Sequence, residues 1–362
     1  EVMDLTAVPH LATLKTHVPF VNFFDGFRTS HEYHKIEVMD MEDLRPLVDE
    51  EDIKNFRDRA LSPERPVTRG TAENPETFFT HREACNQYYD AIPDVVEHYL
   101  GEISKITGRE YHNFNYYGAA DAENIIILMG SATEAAREAI DHLVSEGKKV
   151  GMVAVHLYRP FSVEYLMKAV PKTVKRIAVL DRTKEPGAEG EPLYLDVKSA
   201  FYDAENRPVI VGGRYGLGSS DITPAKIISV FNNLELPEPK NHFTVGIVDD
   251  VTFTSLPVVE EMALGGKSIY EAKFFGLGAD GTVGANKNSV KIIGDNTDKH
   301  CQAYFSYDSK KSGGFTCSHL RFGDEPIRST YQITTPNFVA CHVQAYLNMY
   351  DVTRGIRENG SF

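Results

Sequence analysis

Apolar and polar positions divide the chain into three textures. Up to about residue 109 the spacing is mixed. Val18-Pro19-Phe20-Val21-Asn22-Phe23-Phe24 is a compact apolar run that predicts a buried strand. Helical spacing follows at 41–48 and 53–60, and a polar, proline-bearing stretch at 62–75 reads as a connector. Residues 80–106 predict a helix with Tyr88, Ile92, Val95, Val96 and Tyr99 on one side.

From about 110 to 265, apolar strands alternate with helices. Strands are predicted at 124–129, 150–157, 176–180 and 209–211, and helices at 132–146, 162–170, 193–204 and 223–231. Ser131 and Glu134 have capping-box spacing, and Gly147 fits a helix stop. Such alternation predicts an α/β fold with an open parallel sheet covered on both faces. Ligands in such sheets bind at the loops after the strands. Here those loops are 130–133, 156–161, 181–192 and 212–221, and their composition suits a ligand or docking edge as well as it suits solvated loops.

A third texture starts near Lys267. It predicts a strand at 268–275, a glycine turn, a helix at 282–292 and strands at 302–307, 320–322 and 330–333.

Bulk properties narrow the function. A length of 362 residues suits two or three domains, and 42% hydrophobic with 25% charged residues suits packed cores. A net charge of −14 opposes nucleic-acid binding. The longest apolar runs fall short of the roughly 18 residues a membrane span needs. The chain lacks an initiator Met and a signal-peptide pattern at Glu1, so a piece of a larger protein is expected. Cys85, Cys301, Cys317 and Cys341 show no C-x-x-C spacing, which argues against a metal or iron–sulfur site built from this chain alone and leaves four reduced thiols of a cytoplasmic-type protein.

The chemistry concentrates in Gly276-Leu277-Gly278-Ala279-Asp280-Gly281-Thr282-Val283-Gly284, a G-x-G-x-x-G pattern between a predicted strand and helix. Glycines let backbone N–H groups face one concavity, and the helix start adds partial positive charge. That suits a phosphate-bearing cofactor. Asp295 and Asp298 fall early for the acid of a dinucleotide site. Lys310-Lys311 follows the next strand, and in a parallel sheet that loop would lie beside the turn and offer cations to an extra phosphate. His31, in Asp25-Gly26-Phe27-Arg28-Thr29-Ser30-His31-Glu32, reads more readily as a packing residue than as a proton carrier. Neither a Ser/His/Asp nor a Cys/His set supports nucleophilic catalysis.

Several stretches resemble the pyruvate:ferredoxin (flavodoxin) oxidoreductases: FFDGFRTSHE at 23–32, LYRPF at 157–161, DRTKEPGAEGEPLYLDV at 181–197, GGRYGLGSSDITP at 212–224, FFGLGADGTVGANKNSVKIIGDNT at 274–297, SYDSKKSGG at 306–314 and SHLRFG at 318–323. The resemblance implies residues 1–109 as the end of a pyrimidine-type thiamine domain plus linker. It implies 110–265 as a transketolase C-terminal-like domain and 266–362 as the start of a coenzyme A-binding domain. The family's coenzyme A loop falls on Gly278, Ala279, Asp280, Gly281 and Thr282, and its phosphate-binding lysine on Lys310, with Lys311 as the alternative. The resemblance further implies oxidative decarboxylation of pyruvate to acetyl-coenzyme A. Thiamine diphosphate, Mg2+ and [4Fe-4S] clusters would lie outside this segment, with ferredoxin or flavodoxin as electron partner, in a homodimer. The rest of the same polypeptide would be its immediate partner, and this segment alone would be inactive. Two other readings stand beside it: a non-catalytic assembly scaffold, and an NAD-binding Rossmann dehydrogenase.

Overall fold

The computed structural model describes residues 1–26, 28–68, 70–308 and 313–362. These fall into two compact units. One comprises Glu1–Phe23, Glu37–Asn115 and Val155–Ala169; the other comprises Phe24–Ile36, Tyr116–Ala154 and Val170–Phe362.

Helices build the first unit. The Val2–Thr16 helix sets Val8, Leu11 and Ala12 into one core with Ile92, Val96, Leu100 and Ile103 of the Ile92–Thr107 helix. Those last four recur at intervals of three and four, which places them on one stripe. Asp4 is buried among them and satisfied: it accepts bonds from Arg109 Nε at 2.8 Å, Arg109 Nη2 at 3.1 Å and the Tyr111 hydroxyl at 2.6 Å.

Two sequence expectations fail in this unit. The helix expected over 80–106 is three helices, Pro75–Ala84, Asn86–Asp90 and Ile92–Thr107, with Pro93 starting the last. Tyr88, expected on the packed side, is 55% exposed. The strand expected at 18–24 does not form. Pro19 has no N–H for a ladder, and Val21 is 85% exposed.

The second unit contains two sheets. The larger runs in the order β2-β4-β3-β5-β6-β7, with β2 at Phe114–Gly118, β3 at Asn124–Leu128, β4 at Val150–Val155, β5 at Arg176–Asp181, β6 at Val209–Arg214 and β7 at Phe243–Thr244. β3 pairs in parallel with β4 and β5, β5 with β6, and β6 with β7. The helices Ala132–Ser145 and Pro224–Glu235 bury Ala136, Ile140, Ile227 and Phe231 against Ile126 and Leu128 of the central strand. The open α/β sheet expected from strand–helix alternation forms and is parallel from β4 through β7, while the β2 edge runs against β4: His156 N donates to Asn113 O at one end and Ala119 N to Val150 O at the other. Chain order runs from β3 to β4 on one side and then to β5 on the other, so the sheet reverses direction at the ends of β3 and β5.

The capping box does not form. Ser131 is already helical at φ −60°, ψ −23°, and its hydroxyl accepts a bond from Arg182 Nη1 at 3.3 Å instead. Gly147 does follow the helix end, at φ 82°.

The smaller sheet runs β1-β9-β10-β8-β11, with β1 at Tyr33–His34, β8 at Tyr270–Leu277, β9 at His300–Tyr307, β10 at Phe315–Gly323 and β11 at Phe338–Cys341. β10 is antiparallel to both β8 and β9. The Thr282–Asn296 helix covers one face, with Val290 against Ala272, Ala303 and Leu320. The strand expected at 330–333 is absent because its N–H groups go to side chains. Gln332 N donates to Asp221 Oδ2 at 3.0 Å and Ile333 N to His319 Nδ1 at 3.2 Å. The two sheets meet at Glu138, which accepts from Ser329 Oγ and the Tyr331 hydroxyl, both at 2.6 Å. Burial raises its carboxyl pKa in spite of these bonds.

Asp181 ends β5 and accepts the N–H groups of Leu193 and Tyr194, each at 3.1 Å. Burial outweighs those bonds and pushes its carboxyl up to about 6. The folded state therefore holds this proton more tightly than the unfolded chain. The stabilisation is complete below pH ~4 and is lost as pH rises through about 6. Asp181→Asn should flatten this loss, which is on the order of 2 kcal/mol between pH ~4 and ~7. Urea melts of both proteins across that range measure it.

Candidate functional site

The glycine turn leaves the end of β8 and enters the Thr282–Asn296 helix. Gly276 is pinned by close packing: a Cβ there would lie 2.8 Å from Thr282 Cβ and 2.9 Å from Asp280 Oδ2. Gly281 sits at φ 90°, a region side chains avoid. Ala279 is also left-handed, at φ 74°, a conformation that costs a non-glycine residue roughly 1–2 kcal/mol.

Asp280 organises the turn. Its Oδ2 accepts from Leu277 N at 2.7 Å, and its Oδ1 accepts from Thr282 N at 2.8 Å. Partial burial alone would raise its pKa, but these backbone bonds dominate and hold the carboxyl below the usual range. Two N–H groups expected to face a ligand are thus already engaged by the chain's own carboxylate. Ala279, Asp280 and Gly281 remain exposed, so the rest of the turn is open to solvent.

The turn has a second wall. Gly278 N donates to Gly314 O at 2.8 Å, and Gly313 N donates to Gly278 O at 3.1 Å. The start of β10 therefore closes on the turn. The expectation that the loop after β9 lies near the turn rested on a parallel sheet. Gly313 and Gly314 do lie beside it, but through an antiparallel return, since Phe315 pairs with Leu277. Local patterning does not reveal this pair; the signal lies in the glycines of SKKSGG, since Gly313 is left-handed at φ 71° and a Cβ on Gly278 would lie 3.3 Å from the Gly313 and Gly314 nitrogens. Gly278, Ala279, Asp280, Gly281 and Thr282 are thus one continuous turn. Lys310 and Lys311 lie outside the described residues.

A second feature lies where the larger sheet reverses. A cleft of about 410 Å³ is lined by Asp25, Arg182, Lys184 and the 216–219 loop. Arg182 pairs with Asp25 at 3.2 Å and donates to Gly216 O at 3.1 Å. His31, expected to pack, is exposed, whereas Arg28 of the same stretch is buried. Among the described residues, nothing clusters as three or more metal-ligating side chains. No described helix is long and apolar enough to cross a membrane.

Three family models match in succession. Residues 1–100 match pyruvate flavodoxin/ferredoxin oxidoreductase, thiamine diP-binding; residues 122–227 match pyruvate:ferredoxin oxidoreductase core domain II; residues 271–362 match pyruvate ferredoxin/flavodoxin oxidoreductase. The chain belongs to the pyruvate:ferredoxin/flavodoxin oxidoreductase family. It is 58% identical over its whole length to pyruvate-flavodoxin oxidoreductase of Enterobacter agglomerans. It is 55% identical, again over its whole length, to pyruvate:ferredoxin oxidoreductase of Moorella thermoacetica. In each case it spans 31% of the relative's length. A solved 2-oxoglutarate:ferredoxin oxidoreductase from Magnetococcus marinus, with 2-oxoglutarate, coenzyme A and succinyl-CoA bound, is 17% identical with a TM-score of 0.28. That match covers 45% of this chain and 24% of the other, and at this level it carries no argument. Within the family match, the glycine turn falls in the third matched region.

Asp280→Ala should free the N–H groups of Leu277 and Thr282 and destabilise the helix start by about 1 kcal/mol. Denaturant melts read this as a lower midpoint with an unchanged slope.

Proposed function

We propose that this chain supplies the coenzyme A platform and part of the scaffold of a pyruvate:ferredoxin or flavodoxin oxidoreductase. The observation that carries the reading is the turn at 278–282, open to solvent at Ala279, Asp280 and Gly281 and backed by Gly313 and Gly314, at the start of a 15-residue helix. A helix start offers N–H groups and partial positive charge to a phosphate. Coenzyme A carries three phosphates, of which the 3′-phosphate stands apart from the diphosphate and calls for its own cation. We assign that role to Lys310, with Lys311 as neighbour, on the family resemblance of SYDSKKSGG. Gly278, Ala279, Asp280, Gly281 and Thr282 are assigned to the diphosphate or pantetheine arm.

In this proposal the boundaries are 1–109, 110–265 and 266–362. Thiamine diphosphate, Mg2+ and [4Fe-4S] clusters belong to parts of the protein outside this chain and supply the decarboxylation and electron transfer. Pyruvate as substrate, ferredoxin or flavodoxin as electron acceptor and a homodimeric assembly belong to the same reading. This chain's residues bind and orient the acetyl acceptor.

A dinucleotide-binding reading of the turn fares worse. The Rossmann crossover joins strands that lie in one parallel array, with the ribose-binding acid at the end of the neighbouring strand. Here β10 lies between β8 and β9, antiparallel to both.

Titration calorimetry on the intact enzyme tests the assignment. Lys310→Ala should weaken coenzyme A binding about 10- to 100-fold, as loss of a charge-assisted phosphate contact implies. Dephospho-coenzyme A should bind the variant and the parent alike. Unchanged coenzyme A affinity in the variant, with dephospho-coenzyme A binding the parent as tightly as coenzyme A, would sink the assignment.

A further inference from the structure

The face of the smaller sheet opposite its helix carries buried charge that the coenzyme A reading does not use. β10 places His319 and Arg321 there, exposed by only 4% and 2%. His319 lies opposite Tyr304 of β9 and Lys273 of β8. Arg28, 5% exposed, stacks its guanidinium 4.0 Å above the Tyr304 ring. A closed circuit of contacts follows: Arg28 Nη2 meets Asp221 Oδ1 at 2.5 Å, Asp221 Oδ2 accepts from Gln332 N, and the next residue, Ile333, donates to His319 Nδ1.

Three nitrogens in this cluster have no partner among the described residues: Arg28 Nη1, His319 Nε2 and Arg321 Nη2. All three are donors. Because His319 Nδ1 accepts the Ile333 N–H, the neutral ring must carry its proton on Nε2. Buried donors without acceptors are costly and rare, and three on neighbouring side chains point to a shared acceptor. The charge balance says which kind. Among the described residues, Arg28 pairs with Asp221, Arg321 and Arg357 share Glu271, and Lys273, opposite His319, makes no ion pair. The remaining acid nearby, Glu138, is spent on Ser329 and Tyr331. An acceptor that is also an anion satisfies the donors and offsets the excess positive charge at once, whereas water does only the first.

We infer that a small monovalent anion of halide size is held between Arg28, His319 and Arg321, and ties the 24–36 segment to the smaller sheet. All three open atoms are donors, which excludes a cation. Arg28, His319 and Arg321 are exposed by no more than 5%, so the anion that meets them must be small.

Crystals of the intact protein grown in bromide provide the test. An anomalous peak within about 3.5 Å of Arg28 Nη1 and His319 Nε2 is expected. A site without anomalous signal, filled by density that refines as water, overturns the inference. Thermal melts in chloride and in gluconate at matched ionic strength give a second readout. The midpoint should rise and saturate with chloride in the parent, and Arg28→Met or His319→Phe should lose that response. A parent midpoint indifferent to chloride overturns the inference even if either variant fails to fold.

Discussion

The insertion of β10 between β8 and β9 is the constraint on which the rest of the second unit depends. β10 must run against both neighbours, so its first residues return to the end of β8. That return brings Gly313 and Gly314 against Gly278 and gives the glycine turn its second wall. The same strand alternates its side chains between faces. Leu320 goes under the Thr282–Asn296 helix, while His319 and Arg321 go to the face that meets the larger sheet. One strand thereby serves both the open turn and the buried charge cluster.

Much of this was legible in the sequence where a single local rule applied. A short, fully apolar run such as Ile125-Ile126-Ile127-Leu128, closed by Gly130, reads as a buried strand, and the structure places it between two parallel neighbours. Gly276–Thr282 was legible because glycine spacing between strand and helix has few other uses. The failures share a cause, namely competition from distant partners. Residues 18–24 are apolar enough for a strand but find no neighbour to pair with. Ser131 has capping-box spacing, yet Arg182, distant in sequence, claims its hydroxyl. Residues 330–333 are strand-like, but His319 and Asp221 take their N–H groups. Strand order is likewise invisible to local patterning, so the antiparallel course of β10 could not be foreseen from it.

Asp280 shows a tension at the site itself. A carboxylate at a helix start is stabilising, and here it fixes the turn through two backbone bonds. It also brings negative charge to a place assigned to a phosphate-bearing ligand. The two demands are compatible if Asp280 shapes the backbone from within while ligand phosphates meet N–H groups further out and lysines beyond. Ala279, held left-handed between Gly278 and Asp280, is where that shaping is most strained.

Hydrogen–deuterium exchange on the intact protein, with and without coenzyme A, tests the central claim most directly. Slowed exchange is expected on coenzyme A binding at 276–284 together with 313–316, the turn and the strand start that backs it. Slowed exchange confined to other parts of the protein, with both these segments unchanged under saturating coenzyme A, would contradict it.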